Sequence, residues 1–265
     1  RIQDEPFGSP SICMQYFLMQ HSRDVGCKVL LDGQGADEIL LGYPKYMILA
    51  LAHAWNSGGF HLFMRTMLNS WKSNASLTPF TTLQCLLATL LSPLRTSRLI
   101  LRLPFLKLPI TPTRMLYKDI SSAAIDCKRT QVLELFVTSL PALLRYEDRN
   151  SMAHSIEARL PFLDYRVVEA ALSLPVDQKI YNGWSKYPLR VADILPDQIA
   201  WRRSKLGFNA PERSWIGRYS NKMLSHTLDS PLISSICDNR SLERRWHKLH
   251  MRERWRLFSV AMWSD

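Results

Sequence analysis

One run constrains this chain more than any other: KVLLDGQGADEILLGY, Lys28 to Tyr43. Its short apolar segment, Val29 to Leu31, stops at Asp32-Gly33, which suits a buried strand of a parallel sheet. Gly33 and Gly35 permit a tight turn in which backbone N–H groups face a bound anion with no Cβ in the way. The next helix is expected to aim its N-terminal dipole and free N–H groups at the same point. Asp37 and Glu38 fall in its first turn. Acidic side chains beside a phosphate call for a bridging hard cation, and Mg²⁺ is the usual one. A plainer reading exists, because acids in a first helical turn stabilise it by about 0.3–1 kcal/mol with no ligand. Spacing alone leaves both readings open.

Almost everything else has helical spacing. A helix is expected from Ser11 to His21, and Val132, Leu135, Phe136 and Leu140 recur on one face. Val167, Val168, Ala171 and Leu172 do the same, with Asp164 as N-cap and Pro175 closing the helix. A single visible strand among so many helices predicts a helix-rich α/β fold whose other strands lie upstream. Residues 61–118 read as a helical insertion, and residues 217–265 as C-terminal helices. In that last part Trp246, Leu249 and Phe258 at near-helical spacing suggest a core face with the arginines toward solvent.

Composition narrows the partners. With 46% hydrophobic and 22% charged residues, the 265-residue chain is globular rather than disordered. A formal net charge of +11 points to nucleic acid, an acidic membrane surface or a phosphorylated small molecule, or to nothing beyond a solvated basic surface. The cysteines Cys13, Cys27, Cys85, Cys127 and Cys237 show no metal-type spacing and read as reduced thiols of a cytoplasmic protein. The longest uncharged stretch, Ser73 to Leu94, is broken by Pro79 and Pro93 and fails as a membrane span. There is no signal-peptide pattern and no initiator Met, so a fragment or a processed product is expected.

The full run LLDGQGADEILLGY resembles the glycine-rich pyrophosphate segment of the asparagine synthetase family. Three further blocks come in the family's order: RNSMAHSIEARLPFLDYRVVEAALSLP (Arg149 to Pro175), SKYPLR (Ser185 to Arg190) and LPDQIAWRRSKLGFNAPERSWI (Leu195 to Ile216). The recognisable synthetase blocks thus occupy residues 28–43 and 140–216. The resemblance implies the later part of an adenine-nucleotide α-hydrolase-like (PP-loop ATP pyrophosphatase) domain, with ATP and Mg²⁺ as cofactors. It implies activation of the aspartate side-chain carboxylate as an adenylate, then attack by ammonia, drawn from glutamine in the full-length protein. By matching motif, Asp32, Gly33 and Gly35 lie against the nucleotide, Asp37 and Glu38 hold the metal, and Lys186 and Lys205 contact phosphate oxygens. Lys205 ranks first among the catalytic candidates.

Gln34 departs from the Glu of many family members, where a carboxylate could take a proton as ammonia attacks. Gln cannot ionise, so a catalytic role there is in doubt. Glu157 and Arg159 are expected to form a buried structural pair. Asp148 and Arg149 are weaker candidates for an acid-substrate pocket, and His154 for packing or hydrogen bonding. Arg202 and Arg203 read equally as a phosphate clamp or as plain surface. The family's Ser-Gly-Gly-x-Asp-Ser loop and its glutamine-hydrolysing domain do not occur here; both are expected upstream, and the chain alone is expected to be inactive. Competing readings are a relative that forms β-lactams or amidates glycans or peptides, a catalytically silent partner protein, and a nucleic-acid-binding module.

Overall fold

A computed structural model describes residues 2–73, 78–83, 103–107, 126–203 and 210–264. Two short strands organise its functional end: β1 (Val29–Leu31) and β2 (Glu157–Arg159) pair in parallel, with Leu30 opposite Ala158. β2 carries no apolar run, and the sequence expectation of one strand missed it. Its Glu-Ala-Arg is placed by ladder bonds, with Glu157 N–H donating to Lys28 O (2.9 Å) and Asp32 N–H to Arg159 O (2.9 Å). The expected burial of Glu157 and Arg159 is corrected: both side chains are about 60% exposed and pair with each other at 2.8 Å. They stand on the alternate positions of β2 that leave the middle residue, Ala158, more enclosed.

Helix α1 (Ser11–Asp24) precedes β1 and extends past the expected His21. α2 (Ala36–Ile39) is one turn long, and α3 (Pro44–Ser73) is kinked at Gly59, whose φ of 63 leaves the helical region just before residue 61. Further along the chain, α4 (Cys127–Leu133) runs into a π-helical stretch, Glu134–Thr138, and then into α5 (Leu140–Met152). That wider turn breaks the expected face. Leu135 and Leu140 are buried, whereas Val132 and Phe136 are exposed, because the wider π winding shifts side chains off the 3.6-residue period. α6 (Tyr165–Ser173) begins as expected, with Asp164 Oδ1 accepting from Arg166 N–H at 2.9 Å. Short helices α7 (Val176–Lys179), α8 (Tyr187–Val191) and α9 (Asp197–Ala200) come next.

The C-terminal part is a separate helical cluster: α10 (Glu212–Arg218), α11 (Ser220–Asp229), α12 (Pro231–Ile236), α13 (Asn239–Arg245) and α14 (Met251–Ser264). Its core holds Phe105, Ile216, Ile233, Leu242, Trp246 and Leu249, with Phe258 packed against it. Trp246 is fully buried and donates from Nε1 to Ser220 O and Oγ (3.2 and 3.0 Å). This indole is packed into the core and unavailable for base stacking. Trp255 and Trp263 donate to Phe7 O and Asp4 O, tying the first residues onto α14. Trp246→Ala removes both the packing and the hydrogen bonds, and is expected to cost about 3–5 kcal/mol. A thermal unfolding midpoint within a degree or so of wild type would refute that assignment.

No helix among the described residues is long and apolar enough to cross a membrane. The expectation for Ser73 to Leu94 falls mostly outside the described residues.

Candidate active site

The site lies where β1 ends. The Asp32 side chain reaches forward along the chain, and its Oδ1 accepts from Gln34 N–H at 3.0 Å, fixing the Asp32–Gly35 turn. The two glycines of this turn differ. Gly35 has φ +88 and a Cβ there would run into Leu163, so only glycine fits. Gly33 has an ordinary φ and open space around it. The expected need for glycine therefore holds for Gly35, and the local geometry of this chain makes no such demand at Gly33. The helix after this turn spans four residues, too short for the dipole invoked from the sequence to supply much field. Charge at this turn comes from side chains.

Asp37 provides one of them. It pairs with Lys186, Nζ to Oδ1 at 2.9 Å, with both side chains between one-quarter and one-third exposed. Two features bring these distant residues together. α2 ends in a left-handed cap at Leu41 (φ 56), with Gly42 N–H reaching back to Asp37 O at 2.8 Å, the six-to-one bond of a Schellman motif. The capping position here carries a fully buried Leu rather than the usual Gly, so burial offsets the backbone strain. Lys186, the residue before α8, is also left-handed (φ 52), and its N–H donates to Leu40 O at 3.2 Å. Gly42 sits against the pair so closely that a Cβ would overlap both Asp37 Oδ1 and Lys186 Cε.

Glu38, expected beside Asp37 as a metal ligand, points inward. It is 1% exposed and accepts from Tyr43 Oη at 2.7 Å; burial and this carboxylate together raise the Tyr43 phenol above its ordinary range. A buried polar layer supports α2 from beneath. Gln131 Nε2 donates to Glu38 O (3.0 Å) and Ile39 O (2.7 Å), satisfying carbonyls at the helix end. Lys179, 1% exposed, donates to Gln131 Oε1 at 2.9 Å, and burial pushes its ammonium down to about 8. Alongside it, Glu134 accepts from Tyr46 Oη (2.8 Å) and pairs with Lys45. Sequence reasoning missed Gln131, Lys179 and Glu134. No local pattern marks them, because each is defined by the carbonyl or hydroxyl it meets from another element.

The remaining candidates separate. Lys205, with the rest of residues 204–209, lies outside the described residues, so its placement against the turn is not on view. Arg149 is engaged by Asp4 at 2.8 Å. His154 is 4% exposed and packs on Tyr16, ring centroids 4.4 Å apart, with no hydrogen-bond partner at either nitrogen among the described residues. Among the described residues, no group of three or more His, Cys, Asp or Glu side chains forms a cage for a metal.

A parallel strand pair whose first strand ends in a glycine turn, beside a carboxylate–lysine pair, marks a helix-rich α/β protein with a charged site at a strand end. Comparison narrows the class: the asparagine synthase family model matches residues 1–265, and the chain belongs to that family. It is similar to asparagine synthetase [glutamine-hydrolyzing] 1 of Bacillus subtilis, 27% identical over 250 residues covering 85% of this chain and 37% of that one. It is also similar to a putative asparagine synthetase [glutamine-hydrolyzing] of Mycobacterium tuberculosis, 30% identical over 51% of this chain and 22% of that one. The mouse asparagine synthetase [glutamine-hydrolyzing] is 34% identical over 33% of this chain and 17% of its own. The match thus spans 37% of the length of the Bacillus relative and a smaller share of the other two. No solved structure matches.

Proposed function

We propose that this chain forms the pyrophosphate side of an ATP-dependent amide-forming ligase. In this reading the whole protein adenylates the side-chain carboxylate of aspartate, and ammonia from glutamine displaces AMP to give asparagine. The observation that carries it is the Asp37–Lys186 pair at the carboxyl end of β1, next to the Asp32 turn. Membership of the asparagine synthase family supports the same chemistry.

Attack of the carboxylate on the α-phosphorus requires charge to be neutralised on the departing pyrophosphate. Lys186 is a point charge suited to a phosphate oxygen, and its partner Asp37 keeps the ammonium at the turn before substrate arrives. Asp37 fits a hard cation that keeps most of its ligands from water and phosphate, as Mg²⁺ does, and one carboxylate at the turn is enough for such an ion. When bound, Mg²⁺ would supply further positive charge to the leaving group. We assign Glu38 to supporting the turn through Tyr43 instead of to the metal. Asp32 would accept from the nucleotide while holding Gln34 N–H. Lys205 remains the second proposed phosphate contact. The Gln34 amide can hold a hydrogen bond near the reacting carbonyl and cannot take a proton.

A second reading keeps the adenylation and changes the acid, as in relatives that form β-lactams or amidate glycans and peptides. Incubating the full-length protein with ATP, Mg²⁺, an ammonia source and a panel of carboxylic acids, while measuring AMP and pyrophosphate, decides between them. Aspartate-dependent release of both, with asparagine formed, is the expected result. Release with a different acid transfers the assignment to that substrate, and release with none refutes the ligase reading.

A further inference from the structure

Glu147 is a carboxylate that the proposed chemistry has not used. It sits inside α5 at 1% exposure, and no donor among the described residues reaches either of its oxygens. The group that faces it is the carboxyl of Asp32. The cations on neighbouring elements are committed elsewhere: Arg145 to Glu5, Arg149 to Asp4, Arg159 to Glu157, Arg23 to Asp24 and Lys45 to Glu134. Among the described residues, the charged group that acts on Glu147 is Asp32.

Two acceptor-only carboxylates cannot share a water-poor contact. One of them must hold a proton, and the more deeply buried is the one expected to hold it. Asp32 Oδ1 already receives Gln34 N–H. We propose that Glu147 is a positioning residue: it keeps a proton at neutral pH, donates it to Asp32, and through Asp32 and Gln34 N–H holds the nucleotide-binding turn in one orientation. The Asp32 side chain is thereby tied to the interior by one proton, beside the ladder bond that Asp32 N–H makes to Arg159 O. Burial first, then the hydrogen bond and the charge of Asp32, push Glu147 up to about 8, in keeping with a group protonated at neutral pH. Above that pH the two carboxylates repel and the Asp32 side chain loses this anchor. The link to nucleotide rests on the ligase reading; the carboxyl pairing does not.

Two measurements on the full-length protein separate these. The first is the Kd for ATP with Mg²⁺ from about pH 6 to about pH 9 for wild type, Glu147→Gln and Glu147→Ala. An amide donates to Asp32 at every pH. Glu147→Gln is therefore expected to bind ATP within about threefold of wild type at neutral pH and to lose the weakening that wild type shows above about 8. Glu147→Ala leaves Asp32 without its donor and is expected to bind about tenfold or more weakly throughout. An unchanged alkaline weakening in Glu147→Gln would overturn the proposal. So would normal ATP binding with abolished amide formation in that variant, which would make Glu147 the proton acceptor itself.

The second measurement needs no nucleotide. The carboxyl is raised in the folded chain from its ordinary value of 4.5, so between 4.5 and about 8 the native state binds a proton that the unfolded state lacks. Stability then falls as pH rises through this window and levels off above it. The thermal midpoint of Glu147→Gln is expected to gain on wild type across the same window. If ATP fails to bind at all while this gain is seen, the ligase reading fails and the carboxyl pair stands. If ATP binds and the gain is absent, the pair is overturned alone.

Discussion

Asp37→Asn in the full-length protein is expected to lower ATP-dependent pyrophosphate release by about 10²–10³-fold, the loss typical when one charge-stabilising group is removed from a developing anion. Asn keeps the size and loses the charge. The variant gives up both the anion that holds Lys186 Nζ at 2.9 Å and the proposed oxygen ligand for Mg²⁺. The backbone should tolerate the change, because Gly42 N–H bonds the Asp37 carbonyl and not its side chain. Raising Mg²⁺ should therefore recover part of the rate in Asp37→Asn if the metal role holds. Activity equal to wild type at low Mg²⁺ would remove Asp37 from the mechanism.

Gly42→Ala is expected to give a comparable defect, a fall of about 10²-fold, without unfolding the protein. The added methyl would occupy the space now filled by Asp37 Oδ1 and Lys186 Cε. Both are ends of side chains that can swing away, so the pair is displaced more readily than the main chain. Gly42 carries no positive φ, and so no backbone strain is added. Measuring pyrophosphate release beside the thermal midpoint distinguishes the cases. A large activity loss at near-native stability supports the pair; unchanged activity would show that its geometry is not used. Gly35→Ala is a poorer probe, because strain at φ +88 and a clash with Leu163 combine fold and site effects.

These two positions show how the polar layer beneath α2 serves the surface. α2 is too short to stabilise itself, since a single turn closes few internal hydrogen bonds. Its carbonyl end is held by Gln131, Gln131 by Lys179, and its Glu38 by Tyr43. Asp37 is thus presented from a turn whose orientation is set mainly from below. The π-helical stretch at Glu134–Thr138 belongs to the same device, because it turns Glu134 toward Tyr46 and Lys45.

By itself the sequence determined the strand, turn and helix order of Lys28 to Tyr43, the cap at Asp164, the packed face of Trp246, and the likeness to one ligase family. Each is a local or ordered signal: a run that ends at Asp-Gly, a side chain that caps its own helix, a period of 3.6, or four blocks in sequence. Tertiary structure alone decided the rest. β2 was illegible because Glu-Ala-Arg becomes a strand only when Lys28 O and Asp32 N–H are there to bond it. The face drawn through Val132 and Phe136 failed because a π turn is set by packing that a periodicity cannot see. Lys186 meets Asp37, and Glu147 meets Asp32, across long stretches of chain. The opening glycine-rich run marked the turn that carries Asp32 and leads into Asp37, and Lys186 reaches Asp37 from far along the chain. A four-residue helix has little dipole to give, and the charge comes from a lysine, placed there by a left-handed backbone far along the chain.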